Sequence, residues 1–319
     1  MEPTTAKLRY HGTGGSLFGL MFVNTLLSII TLGFYSAWAR NRVRQFHWSH
    51  TELDGDRFAY HGTGGELFVG YLKAWFIIAA VTLVFGGLDT LFGGESGNVW
   101  AILSLGLAFY AALFVLIAYA VNSARRYRLS RSSWRGIRFS FHGDGDEFLG
   151  LMTRGTLLSI ITLGFYNPRF QNQRREFFVK NVRFGSEPFM YDGDYRPLFP
   201  KYIKALLLTI PTLGFSWVWY SAFKTRHFWN HTYMRGARFQ STVTGGALFG
   251  LHVTNLLLVL FTFGLAAPWA IARMHSFWCD NLSLVGTVDW ASIRQRAQRA
   301  QLIGEGLAEG LDVDVGIGM

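Results

Sequence analysis

The residues best suited to chemistry in this sequence sit in a glycine-rich motif, His11-Gly-Thr-Gly-Gly15. It returns as His61-Gly-Thr-Gly-Gly65-Glu66 and, in looser form, as His142-Gly-Asp-Gly-Asp-Glu147 and Thr244-Gly-Gly246. A glycine turn ahead of a helix can hold phosphate on its backbone amides. The nucleotide-loop form of that chemistry is weakly signalled, because no Lys-Ser/Thr pair follows and no parallel strand-helix-strand pattern surrounds the motif. Thr63 and Glu66 instead stand at the spacing of a capping box, in which two side chains satisfy free amides at a helix start, and Asp144 with Glu147 repeats it. We read Thr13, Thr63, Glu66 and Asp144 as caps, with a lipid phosphate at the same helix starts as the alternative.

His11, His61 and His142 occupy matching places, and histidine suits a metal or a proton relay. A copied turn residue lands at separate places in space, and the carboxylate or cysteine partners of a metal site are missing. No metal and no cofactor is therefore expected. No nucleophile-base pair or carboxylate pair stands at a diagnostic spacing either, so the expectation is a protein that is not an enzyme.

Polar groups inside apolar stretches are costly and are functional candidates by default. Asn24 matches Asn255, Lys73 matches Lys204, and Arg154 stands alone where the first copy has Val23. These five are the candidate residues of a polar pathway. The ordinary alternatives are helix-helix glue for the asparagines and snorkelling for the lysines.

The elements that must position these groups are largely apolar. Half of the 319 residues are hydrophobic, 16% are charged and mean hydropathy is +0.21, against about 25% charge in average chains. Lys+Arg 30 against Asp+Glu 20 gives a basic balance. Arg40 to Arg44, Arg125 to Arg131, Arg169 to Arg175 and Lys224 to Arg226 are interleaved with aromatics such as Trp38, Trp48, Phe177 and Trp229. Beside apolar helices that mixture is an interfacial belt for anionic lipids rather than a nucleic-acid surface. Cys279 is the only cysteine, so no internal disulfide forms, and residues 1 to 10 lack a secretory signal pattern.

Six apolar stretches run Ser16 to Ala39, Leu67 to Leu88, Val99 to Val121, Phe148 to Phe165, Ala205 to Phe223 and Ala247 to Ala272. The second and third meet the roughly 20 residues that a membrane span requires, the third without one charge. LLSIITLGFY occurs at Leu26 and again at Leu157, 131 residues on, and Thr31-Leu-Gly-Phe34 returns at Thr212 and, loosely, at Thr262. Five short strand pairs, with turns at Gly55, Gly136, Gly185, Gly236 and Gly286, follow the basic segments. The expected organisation is a first half over 1–147, a second over 148–290, and a basic helix with an acidic glycine-rich tail over 291–319.

HGTGGELF ahead of one apolar helix, TLGFYSAW at the end of another, then SWRGIRFSF and the closing GEGLAEGLDVDVGIG together resemble the YjgN family of bacterial inner-membrane proteins, a domain of unknown function. The resemblance covers nearly the whole chain and implies a bacterial inner-membrane location without an activity. Ala37 stands in the first copy where later ones have Pro168 and Pro268.

The fold expected is mainly α: a polytopic, multi-pass membrane protein whose repeated membrane helices, or re-entrant hairpins broken near Gly33, Gly164, Gly214 and Gly264, alternate with separate cytoplasmic β-hairpins. Gly86 to Val99, acidic and without Lys or Arg, is the expected outer loop. The functional expectation is transporter- or channel-like, with a lipid-binding scaffold as the alternative, membrane lipids as partners and homo-oligomerisation compatible with both.

Overall fold

A computed structural model describes residues 5–92, 99–287, 290 and 293. Its chain reads five times as strand, helix, helix, strand. The first unit is β1 (Thr5–Tyr10), α1 (Gly14–Ile30), α2 (Ser36–Ser49) and β2 (Thr51–Leu53). The second is β3 (Asp56–Tyr60), α3 (Gly64–Phe92), α4 (Val99–Arg131) and β4 (Ser132–Trp134). The third is β5 (Ile137–Phe141), α5 (Gly145–Ile161), α6 (Asn167–Lys180) and β6 (Val182–Phe184), followed by β7 (Glu187–Pro188). The fourth is β8 (Met190–Tyr191), α7 (Leu198–Leu207), α8 (Ser216–Asn230) and β9 (Thr232–Met234). The fifth is β10 (Ala237–Ser241), α9 (Gly245–Phe261), α10 (Ala267–Asp280) and β11 (Leu282–Val285).

The strands form one antiparallel sheet in the order β7-β6-β5-β4-β3-β2-β1-β11-β10-β9-β8. Its two ends, β7 and β8, are separated in the chain by Phe189 alone, whose amide still donates to the Val182 carbonyl at 3.0 Å. The sheet thus curls into a ring, and ring closure removes the open edges that isolated hairpins would expose. Asp54-Gly55, Arg135-Gly136 and Arg235-Gly236 turn with positive φ at both residues, the geometry of tight hairpins that matches strand twist.

Each apolar helix of the TLGF units ends in the same way. Leu32, Leu163, Leu213 and Phe263 take φ of 49° to 50°, and the following glycines φ of 85° to 90°. The Gly33 amide reaches back to Ser28 O at 2.7 Å, as Gly164, Gly214 and Gly264 do to Ser159, Thr209 and Val259. This is the six-to-one bond that closes a helix C-terminus. Thr31 Oγ1 donates to Leu27 O at 2.7 Å and accepts from the Tyr35 amide at 3.0 Å, and Thr162, Thr212 and Thr262 repeat both bonds. The tip therefore satisfies its own backbone while Leu32, Leu163, Leu213 and Phe263 stand 84% to 96% exposed. Such apolar exposure, repeated on α1, α5 and α9, is the mark of a surface that meets something other than water. Pro168 and Pro268 lie in the first turns of α6 and α10, where a missing amide costs nothing, and α2 begins at Ser36 without one.

Neighbouring units are knitted by two contacts. The Asn41, Asn122 and Asn172 side chains donate to the carbonyls of Gly62, Gly143 and Gly193, each in the next unit, at 2.8 to 3.0 Å. The first-turn glycines Gly64, Gly145 and Gly245 pack under Trp38, Tyr119 and Trp219 of the preceding unit, and Gly14 packs under Trp269 of the last. The helical layer therefore closes as the strands do.

This architecture corrects the expected fold class. The hairpins are not separate modules between repeated membrane helices; they are arcs of one eleven-stranded sheet. Only α3 and α4, over Gly64–Leu88 and Ile102–Arg131, are long and apolar enough to cross a membrane among the described residues. α1, α5 and α9 have 17 residues each, about 25 Å at 1.5 Å per residue, and α7 has 10. The physical reason is that a two-stranded hairpin is marginal alone, whereas joining all five buries their inner faces together. The hairpin expected around Gly286 is likewise replaced, since β11 pairs with β1 from the other end of the chain. Of the expected outer loop, residues 93–98 lie outside the described residues, as does the tail from 294 on.

The cap at α3 is reciprocal: Glu66 N donates to Thr63 Oγ1 and Thr63 N to Glu66 Oε2, both at 3.3 Å. Thr63→Ala should lower stability in detergent by about 0.5 to 2 kcal/mol, with Thr63→Ser close to wild type. Thermal melting of the two variants checks this, and an unshifted Thr63→Ala midpoint would show that the bonds carry no weight.

Candidate functional site

Alternation along each strand sends every second side chain into the ring, and the five units supply equivalent residues at each level. Towards the turns the interior holds Leu8, Phe58, Phe139, Phe189 and Phe239, with Leu53, Trp134, Phe184, Met234 and Leu284 packed against them. Trp290 stands edge-on to Trp134 at 4.7 Å, and Ile293 is buried in the same cluster. Towards the helices the wall passes through Thr51, Ser132, Val182 and Thr232 to Arg125 on α4 and Arg175 on α6. Apart from Ile293, these groups line a partly open apolar cavity of about 190 Å³.

The two guanidiniums are the unusual feature of that wall. Arg125 is buried and lies 4.4 Å over the Phe178 ring. Arg175 donates to Thr232 Oγ1 at 3.2 Å and lies 4.6 Å over the Trp229 ring, while its Nε has no hydrogen-bond partner. Arg175 is part-buried by surface, yet its head lies deep enough that burial pushes its pKa down to about 10. It remains cationic at neutral pH. A charge placed against apolar surface stabilises whatever anion can reach it, so the cavity combines an apolar interior with a cationic wall.

A second polar cluster lies where the first and last units meet. His47 Nδ1 is 2.7 Å from the Tyr10 hydroxyl, and the His47 and His275 rings stack at 3.8 Å. Burial, then the neighbouring His275 and His50, pushes His47 down to about 3, and burial lowers His275 as well. Both imidazoles are neutral at pH 7. Cys279, buried on α10, is pushed up to about 12 by burial and the nearby Asp280, so it is an inert thiol.

The residues singled out from sequence fall at separate places. Asn24 and Asn255 are buried and donate to the carbonyls of Ala39 and Ala270, within their own units. Lys73 on α3 and Arg154 on α5 are exposed, and Lys204 on α7 is exposed beside a groove. No shared path gathers these five. Thr13 accepts from the Ser16 amide at 3.2 Å, whereas Asp144 takes the cap position of α5 without a side-chain bond. Glu66 also accepts from the Tyr127 hydroxyl at 2.9 Å and from Arg131. His11 meets Glu52 at 2.9 Å and His61 meets Ser133 at 2.7 Å, in different units. No group of three possible metal ligands assembles among the described residues.

Arg125 and Arg175 were legible only as members of basic belts. The signal that separates them is register: Asn41-Arg-Val-Arg44, Asn122-Ser-Ala-Arg125 and Asn172-Gln-Arg-Arg175 share Asn-x-x-Arg. The asparagine ties each helix to the next unit, and the arginine three residues on lies nearly one turn further towards the strands.

A closed antiparallel ring with an apolar interior, skinned by helices with exposed apolar faces, defines a membrane-type helix-and-ring protein. The chain belongs to the YjgN family of bacterial inner-membrane proteins: the family model described as "Bacterial protein of unknown function (DUF898)" matches residues 5–215 and 205–310. It is 33% identical over 142 residues to "Inner membrane protein YjgN" of Escherichia coli O157:H7 and, equally, of Escherichia coli strain K12, covering 44% of this chain and 32% of each relative. The protein of the same name from Salmonella typhimurium is 32% identical over 134 residues, 42% of this chain and 31% of the relative. The alignments thus span about a third of the curated relatives' length. No solved structure matches the chain.

Proposed function

We propose that this protein is a non-enzymatic membrane protein whose β-ring binds an anionic amphiphile, a single acyl-type chain ending in a carboxylate or phosphate. The observation that carries the reading is the placement of Arg125 and Arg175 on the wall of one otherwise apolar cavity. An apolar chain gains roughly 0.8 kcal/mol for each methylene it buries. Its anionic end offsets the cost of holding two guanidiniums away from water. The lipid-binding reading is favoured over transport because the polar residues that a path would need are scattered, whereas the ring interior is one continuous site.

The test uses the tryptophans that line the cavity, Trp48, Trp134, Trp229 and Trp290. A doxyl-labelled fatty acid added to the purified chain in neutral detergent should quench part of the fluorescence saturably, and the corresponding fatty alcohol should not. Arg175→Gln should weaken the fatty-acid response by about tenfold, the equivalent of losing one charge-assisted contact. Arg154→Gln, an exposed change on α5, should leave it unaltered. Equal quenching by acid and alcohol, or by wild type and Arg175→Gln, would overturn the reading.

A further inference from the structure

The fourth unit departs from the others, because α7 has 10 residues where α1, α5 and α9 have 17. The missing turns leave a groove of about 770 Å³ between α7, the 208–215 tip, α8 and the start of α9. Its floor is apolar, with Ala205, Leu208 and Trp219, and runs out to the tip where Ile210 and Leu213 are each 87% exposed. Its rim carries Lys201, Lys204 and Arg226, and no Asp or Glu lines it. Arg226 is held in place by the Val243 carbonyl at 3.4 Å and by the Phe223 ring. None of the three cations has a carboxylate within ion-pair distance among the described residues. Behind the rim, burial and then the nearby Arg174 lower the Lys224 pKa.

We propose that this groove binds the headgroup of an anionic glycerophospholipid, with the phosphodiester on Lys201, Lys204 and Arg226 and the acyl chains along the apolar floor. Charge complementarity selects the anion, since three cations converge without an acid to neutralise them. Continuity with the exposed apolar tip selects a bilayer lipid over a free phosphate, because a free ion would leave the floor uncovered. The site lies on α7 and α8, apart from the ring cavity, and stands whether or not that cavity binds its amphiphile.

Native mass spectrometry of the detergent-purified chain with phosphatidylglycerol or phosphatidylcholine tests this. One phosphatidylglycerol should be retained preferentially, and the triple variant Lys201→Ala, Lys204→Ala, Arg226→Ala should retain it about tenfold less, by loss of charge-assisted bonds. That variant should keep the wild-type melting midpoint in detergent, which shows that the fold is intact whether or not the ring takes the doxyl fatty acid. Should the triple variant misfold, Lys204→Glu alone, an exposed substitution, decides: it should retain clearly less phosphatidylglycerol than wild type. Equal retention by wild type and a folded variant would overturn the proposal, as would displacement of the lipid by millimolar inorganic phosphate.

Discussion

Gly14→Ala should destabilise the protein by about 1 to 3 kcal/mol, while Gly15→Ala, one residue on, should be neutral or stabilising by up to about 1 kcal/mol. Both glycines lie in the first turn of α1. A methyl at Gly14 would meet the Trp269 ring and, at 2.8 Å, the Trp269 Cα, so a rotamer change cannot relieve it. A methyl at Gly15 meets nothing within 4 Å. Because Trp269 belongs to the last unit and Gly14 to the first, the strain falls on the seam that closes the ring. Gly64→Ala repeats the test between the first and second units, where Trp38 Cα would be met at the same 2.8 Å. Thermal melting of these variants in detergent measures the difference, and equal melting of Gly14→Ala and Gly15→Ala would mean that the first and last units do not pack as described.

Acid should open the same seam. His47, held near 3 against an ordinary 6.5, is neutral when folded and takes up a proton when the chain unfolds below pH 6.5. The unfolded state then binds more protons, so stability is full above about pH 6.5 and is lost as pH falls towards 3. Lowering the pH from 7 to 5 should remove on the order of 2 kcal/mol through His47 alone, at about 1.4 kcal/mol per pH unit. His275, stacked on His47 and also lowered by burial, acts in the same direction. His47→Gln removes the titrating group while keeping a polar partner for the Tyr10 hydroxyl. Melting midpoints at pH 7 and pH 5 should therefore differ less in His47→Gln than in wild type, and parallel pH dependences would contradict the assignment.

What could be read in the sequence was local. The Thr63 and Glu66 cap, the Asp54-Gly55 and Arg235-Gly236 turns and the TLGF tips each depend on residues within a few positions of one another. Ring closure depends on Thr5, Ala6 and Lys7 pairing with Val285, Leu284 and Ser283, a contact across nearly the whole chain that no spacing rule reports. Without that contact the hairpins read as separate modules and the apolar stretches as re-entrant hairpins or successive membrane crossings. The candidate site was hidden for a related reason. Arg125 and Arg175 share their helices with Arg126, Arg128 and Arg174, and a basic run beside apolar helices has the composition of a lipid-facing belt. Only the ring shows that two of these arginines sit on one wall. Asn24 and Arg154, by contrast, stood out because a polar residue in an apolar run is conspicuous, although one bonds within its own unit and the other is exposed.

Photocrosslinking shows whether the ring interior is the receptor for an anionic amphiphile. A fatty acid carrying a diazirine at the end of its chain is bound to the purified protein, irradiated, and the labelled peptides are identified by mass spectrometry. Label is expected on ring peptides that contain Phe139, Phe184 or Phe239, competed by unlabelled fatty acid and diminished in Val182→Phe, which narrows the cavity. Label confined to the exposed helical peptides of α1, α5 and α9, unchanged by Val182→Phe or by competitor, would contradict it.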